Sequence, residues 1–421
     1  MVNLEQGKPG KIVWIPRGTT FVEEDFIYYA GKGEQAFDEV AGRFDLIVTG
    51  PHATAAIPRE LEPWIEPEMT ARKQHDFSDC TTSAVGRAWA AADPKVLYIE
   101  NPHPRVLYDP NRPHPRDPEG DLREFFARLH AEERGNRVSF SGIDALRPVT
   151  FAGERFLREP GSEEEWTELV ALLFDIAARG SRVYRSVRDD VIERVYLAKS
   201  RRLADVDLGT VGAAEMNAMR MLTVQCIHDT MNATVNVDGA VDVVKPVADH
   251  LPAIVSFGNR GDFRGEPRSP SDGSILPVID VPTMSGEMLR STRRAFKRAF
   301  GVPETELASA LELNQPYLGA YEVQKIGRDL RSLEERGVVR HAGNEGLLRI
   351  RTAAYQAEFL REFLLGESNV AHIQQPGDDW PAVDDAHIER IVNRLVAAYE
   401  MMRRWDFRIQ QTTEYTTPRF R

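Results

Sequence analysis

The sequence predicts an α/β fold, and three observations carry the prediction. Short apolar runs stop abruptly at polar, turn-rich segments, amphipathic helical patterns lie between such runs, and the composition is that of an ordinary globular protein. Hydrophobic residues make up 42% of the 421 and charged residues 28%, far from the composition of a disordered chain. The length calls for two domains, or for one large α/β domain with long insertions.

The three clearest runs are Asp45-Leu46-Ile47-Val48-Thr49, Lys95-Val96-Leu97-Tyr98-Ile99 and Leu222-Thr223-Val224-Gln225-Cys226-Ile227. Each reads as a buried strand. They run into Gly50-Pro51-His52, Glu100-Asn101-Pro102 and His228-Asp229. Ligands gather beyond the carboxyl ends of strands in open α/β sheets, so these polar residues are biased toward a common site.

Helices are expected between them. Ser162-Glu163-Glu164-Glu165 is a capping-box start for an apolar series through Trp166, Leu169, Leu172, Leu173 and Ile176, and Gly180 closes it. Pro113 to Arg147 is charged and proline-bearing at first, helix-like from Leu122 to Glu133, and reads as an insertion or lid. Gly366 to Val383 reads as a linker, followed by a last helix from about Asp384 to Trp405 with acids at its positive end and Arg403-Arg404 at its negative end.

A formal net charge of −12 gives no global pull toward nucleic acid or anionic membrane, so the expected partner is a small molecule. No stretch approaches the roughly 18–20 apolar residues that cross a bilayer. With two cysteines, Cys80 and Cys226, and a start unlike a signal peptide, the cytoplasm is the expected compartment.

Four constellations carry chemistry. His52 stands on a tight loop directly after a strand, where it can ligate a metal or merely cap a turn. His75-Asp76-Phe77-Ser78-Asp79-Cys80 brings two carboxylates, while Ser78 or Asp79 could instead cap the helix suggested by Ala84, Val85, Ala88 and Trp89. His228 again follows a strand, and a His, Asp, His set matches the three-ligand pattern of catalytic zinc. Arg105 through Asp109-Pro110-Asn111-Arg112-Pro113 suits a carboxylate-bearing substrate, or forms a rigid loop held by an internal Asp109–Arg112 ion pair.

Taken in order, Pro51-His52 with Ile57-Pro58, the Asp79 segment, Arg105 to Pro113 and Ile227-His228-Asp229-Thr230-Met231 resemble the N-formylglutamate amidohydrolase family. Downstream, Val255-Ser256-Phe257-Gly258-Asn259-Arg260 is similar to that family's glycine-asparagine loop. Leu313-Asn314-Gln315-Pro316-Tyr317-Leu318-Gly319 is similar to its Asn-x-Pro-aromatic-x-Gly turn, and Tyr355-Gln356-Ala357-Glu358 to its Gln-x-Glu element. The likeness spans roughly residues 40 to 365. The chain departs from the family pattern at Ala53-Thr54, where Ser-Gly is usual, at Pro110, and at Asp229, where Ser is usual.

The resemblance implies one divalent metal, zinc being the expected ion, held by His52, Asp79 and His228, with Asp76 the alternate carboxylate. Glu358 is implied as general base toward a metal-activated water that attacks a formyl or acyl amide. Arg105 and Arg112 would bind a substrate carboxylate, Asn111 or Asn314 would steady the amide or oxyanion, and Tyr317 completes the substrate-binding set.

Resemblance and strand-to-loop chemistry together predict a three-layer αβα domain with a mixed, mostly parallel sheet, like zinc exopeptidases. The expected division is an N-terminal extension (1–39), the amidohydrolase-like domain (40–365) with an insertion at about 113–221, and a linker with the C-terminal helix (366–421). Alternatives are a carboxypeptidase-like or longer-chain deacylase on the same fold, and an inactive small-molecule-binding homologue, for which Asp229 is the best support. Gly31-Lys32-Gly33-Glu34-Gln35-Ala36 formally fits a dinucleotide fingerprint but lacks an acidic ribose partner at the expected distance.

Overall fold

In the computed structural model of the protein, residue 4 and residues 11–150, 152–207, 210–268, 281–340 and 347–404 are described. The central sheet has seven strands among them: β1 (Ile27–Tyr28), β2 (Leu46–Gly50), β3 (Val96–Glu100), β4 (Met221–Thr230), β5 (Val255–Gly258), β6 (Leu311–Leu313) and β7 (Arg351–Leu360). Their spatial order is β6-β5-β7-β4-β2-β3-β1. The pairs β6–β5, β7–β4, β4–β2 and β2–β3 are parallel, and β5–β7 and β3–β1 are antiparallel. This is the mixed, mostly parallel sheet that the sequence predicts.

Both faces are covered, which is why the strand runs are apolar throughout rather than alternating. Successive side chains point to opposite faces. Leu46 and Val48 pack with Val85 and Trp89 of α1 (Thr81–Ala92), Leu289 and Phe296 of α5 (Gly286–Phe300), and Ile391, Leu395 and Tyr399 of α7 (Asp385–Arg404). Ile47 packs on the other side with Val191 and Val195 of α4 (Ser181–Asp205) and Ile326 and Leu330 of α6 (Tyr321–Arg336). Helices, sheet and helices make the three layers expected. A satellite core gathers Phe125 and Phe126 of α2 (Pro118–Glu133) with Leu169 and Leu173 of α3 (Glu163–Arg179), within the segment read as an insertion.

Helix ends follow the local chemistry. The Ser162 hydroxyl accepts the Glu165 N–H at 3.2 Å as the cap of α3, while the Glu165 carboxylate reaches the Gly161 N–H at 2.6 Å, one residue beyond the reciprocal bond of a capping box. The C-terminal helix is fastened to the start of the sheet by Arg403, which binds Asp45 at 2.7 and 2.8 Å and Asp93 at 2.7 Å. All three side chains are buried.

Two segments differ from their sequence reading. A short helix, Glu367–Ile373, lies in the stretch read as a linker. Residues 27–28, within the stretch read as an N-terminal extension, supply the edge strand β1. At the glycine-rich fingerprint, Gly31 and Gly33 take positive φ in a turn, Lys32 Nζ donates to the Glu24 and Ile27 carbonyls, and the next helix has only four residues, Phe37–Val40. Among the described residues no helix is long and apolar enough to cross a membrane.

Candidate metal centre

The end of β2 is held before its histidine arrives. The Asn101 N–H donates to the Gly50 carbonyl at 3.0 Å and the Asn101 amide to the Pro51 carbonyl at 2.8 Å, so the loop that begins there is pinned to the end of β3. His52 follows, 2% exposed. Its carbonyl accepts the Asp79 N–H at 2.9 Å, which joins the first candidate ligand to the second through the backbone.

Asp79 lies in the turn before α1. Its Oδ2 is 3.2 Å from His52 Nδ1 and 2.8 Å from His228 Nδ1. One donor atom from each of the three residues lies within 4.8 Å of the others, and all three residues are buried. Burial alone would raise the Asp79 carboxyl, but the adjoining His52 and His228 rings hold it well below the usual carboxylate range. For His228, burial works against the proton, yet the Asp79 hydrogen bond and the Glu358 charge raise the ring above its ordinary value.

Behind the candidate ligands stands Asp109, whose place beside them the sequence did not reveal. Its Oδ1 is 2.6 Å from His52 Nε2, and its Oδ2 accepts from Arg105 Nη2 at 3.0 Å. Burial opposes ionisation, but His52 and Arg105 keep this carboxyl far below its ordinary range. The Asn111 N–H also donates to Asp109 Oδ1, at 2.7 Å. Arg185 from α4 locks the same segment by donating to the carbonyls of Asp109 at 2.6 Å and Arg112 at 2.7 Å.

Glu358 sits on β7 in direct register with His228 on β4 and with Ser256 on β5. Paired positions of adjacent strands share a face, so the carboxylate and the imidazole lie side by side. Burial pushes the Glu358 carboxyl up, with the His228 charge pulling against it and Asp79 adding to the rise. Gln356, two residues earlier on the same face, donates to Glu358 Oε2 at 2.8 Å while its own oxygen accepts the Ala320 N–H at 3.1 Å.

The remaining candidates are distributed as follows. Asp76 Oδ2 accepts from the Thr234 hydroxyl at 2.8 Å, and Asp76 is outside the three-residue cluster. Arg112 pairs with Asp144, 2.5 Å away, rather than with Asp109 through its guanidinium. Asn111 Oδ1 accepts the Glu322 N–H at 2.9 Å, and its Nδ2 lies 3.4 Å from His228 Nε2. Asn314 is engaged elsewhere: its amide donates to Asn259 Oδ1 and to the Asp262 carbonyl, and its oxygen accepts the Asn259 N–H. Tyr317 is half-buried, and burial with the charges of Glu358, Asp249 and Asp79 raises its hydroxyl above its ordinary range.

The helix-cap reading of Ser78 and Asp79 has a different outcome in the fold. The Asp79 carboxylate is given to the two histidines, and the N–H of Thr82 in the first turn of α1 is met by Asp229 Oδ2 at 3.2 Å. The other oxygen of Asp229 meets Arg361 Nε. Both carboxylate oxygens of Asp229 thus have structural partners.

Residues 44–176 match the model of the N-formylglutamate amidohydrolase family. The sequence resemblance is borne out over this stretch, which contains His52, Asp76, Asp79, Arg105, Asn111 and Arg112 and runs on through α2 and most of α3. His228, Asn314, Tyr317 and Glu358 lie downstream of it. The match supports an amidohydrolase-type function in general. A crystal structure of a gene product from Agrobacterium tumefaciens is similar at 14% identity, covering 86% of this chain and 92% of that one with a TM-score of 0.39. No curated protein matches the chain.

Proposed function

We propose that the protein is a metal-dependent amidohydrolase that cleaves the N-formyl or N-acyl amide of a carboxylate-bearing, amino-acid-like substrate. The observation that carries this reading is the convergence of His52 Nδ1, Asp79 Oδ2 and His228 Nδ1 in a buried site, with Glu358 in register beside His228.

The donor set fits a divalent cation. Each ring nitrogen of His52 faces a carboxylate oxygen, so the ring can donate its Nε2–H to Asp109 and still present a lone pair at Nδ1. Two imidazoles and one carboxylate are the ligand types of a catalytic zinc site that leaves a position for water. When bound, such a cation supplies Lewis acidity toward the amide carbonyl and lowers the pKa of water.

The chain's own residues supply the rest. Glu358, with its proton affinity raised by burial, takes the proton from the attacking water and returns it to the leaving amine. Gln356 fixes the carboxylate for that role. The hydroxyl of Tyr317 stays protonated and can donate to the developing oxyanion, and Asn111 is the second donor available, since the Asn314 amide is already engaged. Of the two arginines expected to meet a substrate carboxylate, Arg112 is the more open, its side chain 28% exposed against 9% for Arg105.

The test is metal analysis of the parent and of a His52→Ala, His228→Ala double variant, paired with a panel of N-formyl, N-acyl and C-terminal peptide substrates. Metal in the parent, lost in the variant, with hydrolysis of a formyl or acyl amino acid, is the expected result. Preference for long acyl chains or for peptides would move the assignment to a deacylase or a carboxypeptidase-like enzyme. Metal without any hydrolysis would make the protein a binding module.

A further inference from the structure

The fold gives Asp229 a buried partner in Arg361, the residue that follows β7. Arg361 is 2% exposed and Asp229 is 1% exposed. Its guanidinium binds the Asp229 carboxylate through Nε and the Asp229 carbonyl through Nη2 at 3.2 Å. The same Nη2 donates to the Ser78 carbonyl at 2.6 Å, and Nη1 to the Asp76 carbonyl at 3.1 Å and the His75 carbonyl at 3.3 Å.

These contacts join three stretches of chain. Asp229 adjoins His228 on β4, Ser78 adjoins Asp79, and Arg361 itself follows the strand that carries Glu358. From its other oxygen Asp229 reaches the Thr82 N–H, so the turn carrying Asp79 is gripped on both sides. From the geometry we infer that Arg361 and Asp229 are positioning residues that set the separation of Asp79 from His228 and thereby the cation affinity of the centre. The inference rests on the metal centre proposed above. It also gives Asp229 a role in building that centre.

The charge balance makes the pair inseparable. A guanidinium withdrawn from water needs an anion and filled donors, and a carboxylate withdrawn from water needs the reverse. Lysine at 361 keeps the charge but presents one ammonium to acceptors that a planar fork now spans. Asparagine at 229 keeps the shape and removes the charge.

Arg72 provides the control. It is equally buried and likewise donates to main-chain carbonyls, those of Gly239, Ile373, Gln375 and Asp379, but none of these adjoins a candidate ligand. The experiment is a Co²⁺ titration of the full chain, stripped with a chelator beforehand, followed by visible absorption and paired with urea unfolding of the stripped protein. Arg361→Lys and Asp229→Asn should each weaken Co²⁺ binding about tenfold or more and alter the absorption bands, whereas Arg72→Lys should lose stability and bind Co²⁺ like the parent. Should Arg361→Lys fail to fold, Asp229→Asn alone decides. Parent-like affinity in the Arg361 and Asp229 variants, or equal weakening in Arg72→Lys, overturns the positioning role and leaves the metal centre standing. A parent that binds no Co²⁺ overturns the centre and the positioning role together.

Discussion

His52 Nε2 lies 2.6 Å from Asp109 Oδ1, on the far side of the ring from the 3.2 Å contact between Nδ1 and Asp79. The first candidate ligand is therefore oriented by a carboxylate that stands outside the three-residue cluster. Asp109→Asn should keep the fold and lower metal affinity by about 10–100-fold, the usual cost of losing such a partner. Isothermal titration of stripped protein with Zn²⁺ measures it, and parent-like affinity would remove Asp109 from the centre.

Glu358 faces a second, separable demand. Glu358→Gln should reduce kcat by about 100-fold or more while metal content stays that of the parent. Since burial raises the parent carboxyl, Glu358, the proposed base, is ionised above its raised pKa and is protonated as pH falls through it. The acid limb of kcat/KM should thus fall above the ordinary glutamate value of about 4.3, and a limb at or below that value would dismiss Glu358 as the base.

Acid stability should depend on His103. Burial pushes its ring down to about 3, its Nδ1 accepts the Ser181 N–H at the start of α4 at 3.2 Å, and Phe21 closes on it edge to face at 5.3 Å. The folded ring binds a proton less readily than the unfolded one, whose pKa is about 6.5. Its contribution is complete above pH 6.5 and is lost as pH falls from there toward 3, by at most about 1.4 kcal/mol per pH unit. His103→Gln should flatten the fall in unfolding free energy between pH 6 and pH 4, measured by urea titration, and an unchanged slope would refute the assignment.

Arg403→Met leaves Asp45 and Asp93 buried without their cation. Breaking one side of a buried ion pair costs about 3–5 kcal/mol. Urea unfolding at pH 7 should register a loss of that size, and a loss below about 1 kcal/mol would mean that water reaches both carboxylates.

How far the centre could be read from sequence depended on distance along the chain. His52 and His228 were legible because each follows an apolar run, and the run alone says where a strand ends. Asp79 carried two readings, helix cap or ligand, and nothing nearby could choose between them. The cap role falls instead to Asp229, 147 residues beyond Thr82, whose N–H it takes. Asp109 and Arg112 looked like one internal ion pair, yet Arg112 goes to Asp144 and Asp109 to His52 and Arg105. Pairings of that kind depend on which segments the sheet brings together, and no local pattern encodes them. The sheet itself was more legible, since β2, β3 and β4 each announce themselves as unbroken apolar runs. By contrast β1, with two residues, and β6, with three, are too short to leave a periodic signal.

The hydrogen bonds that gather the centre join residues 27 and 149 positions apart. Until β4 lies between β2 and β7, His52 and His228 do not face one another across Asp79. Capture of the ion would then be the closing event of maturation, a seal applied to a finished vessel, and the fraction of molecules able to hold it would count those whose sheet is complete.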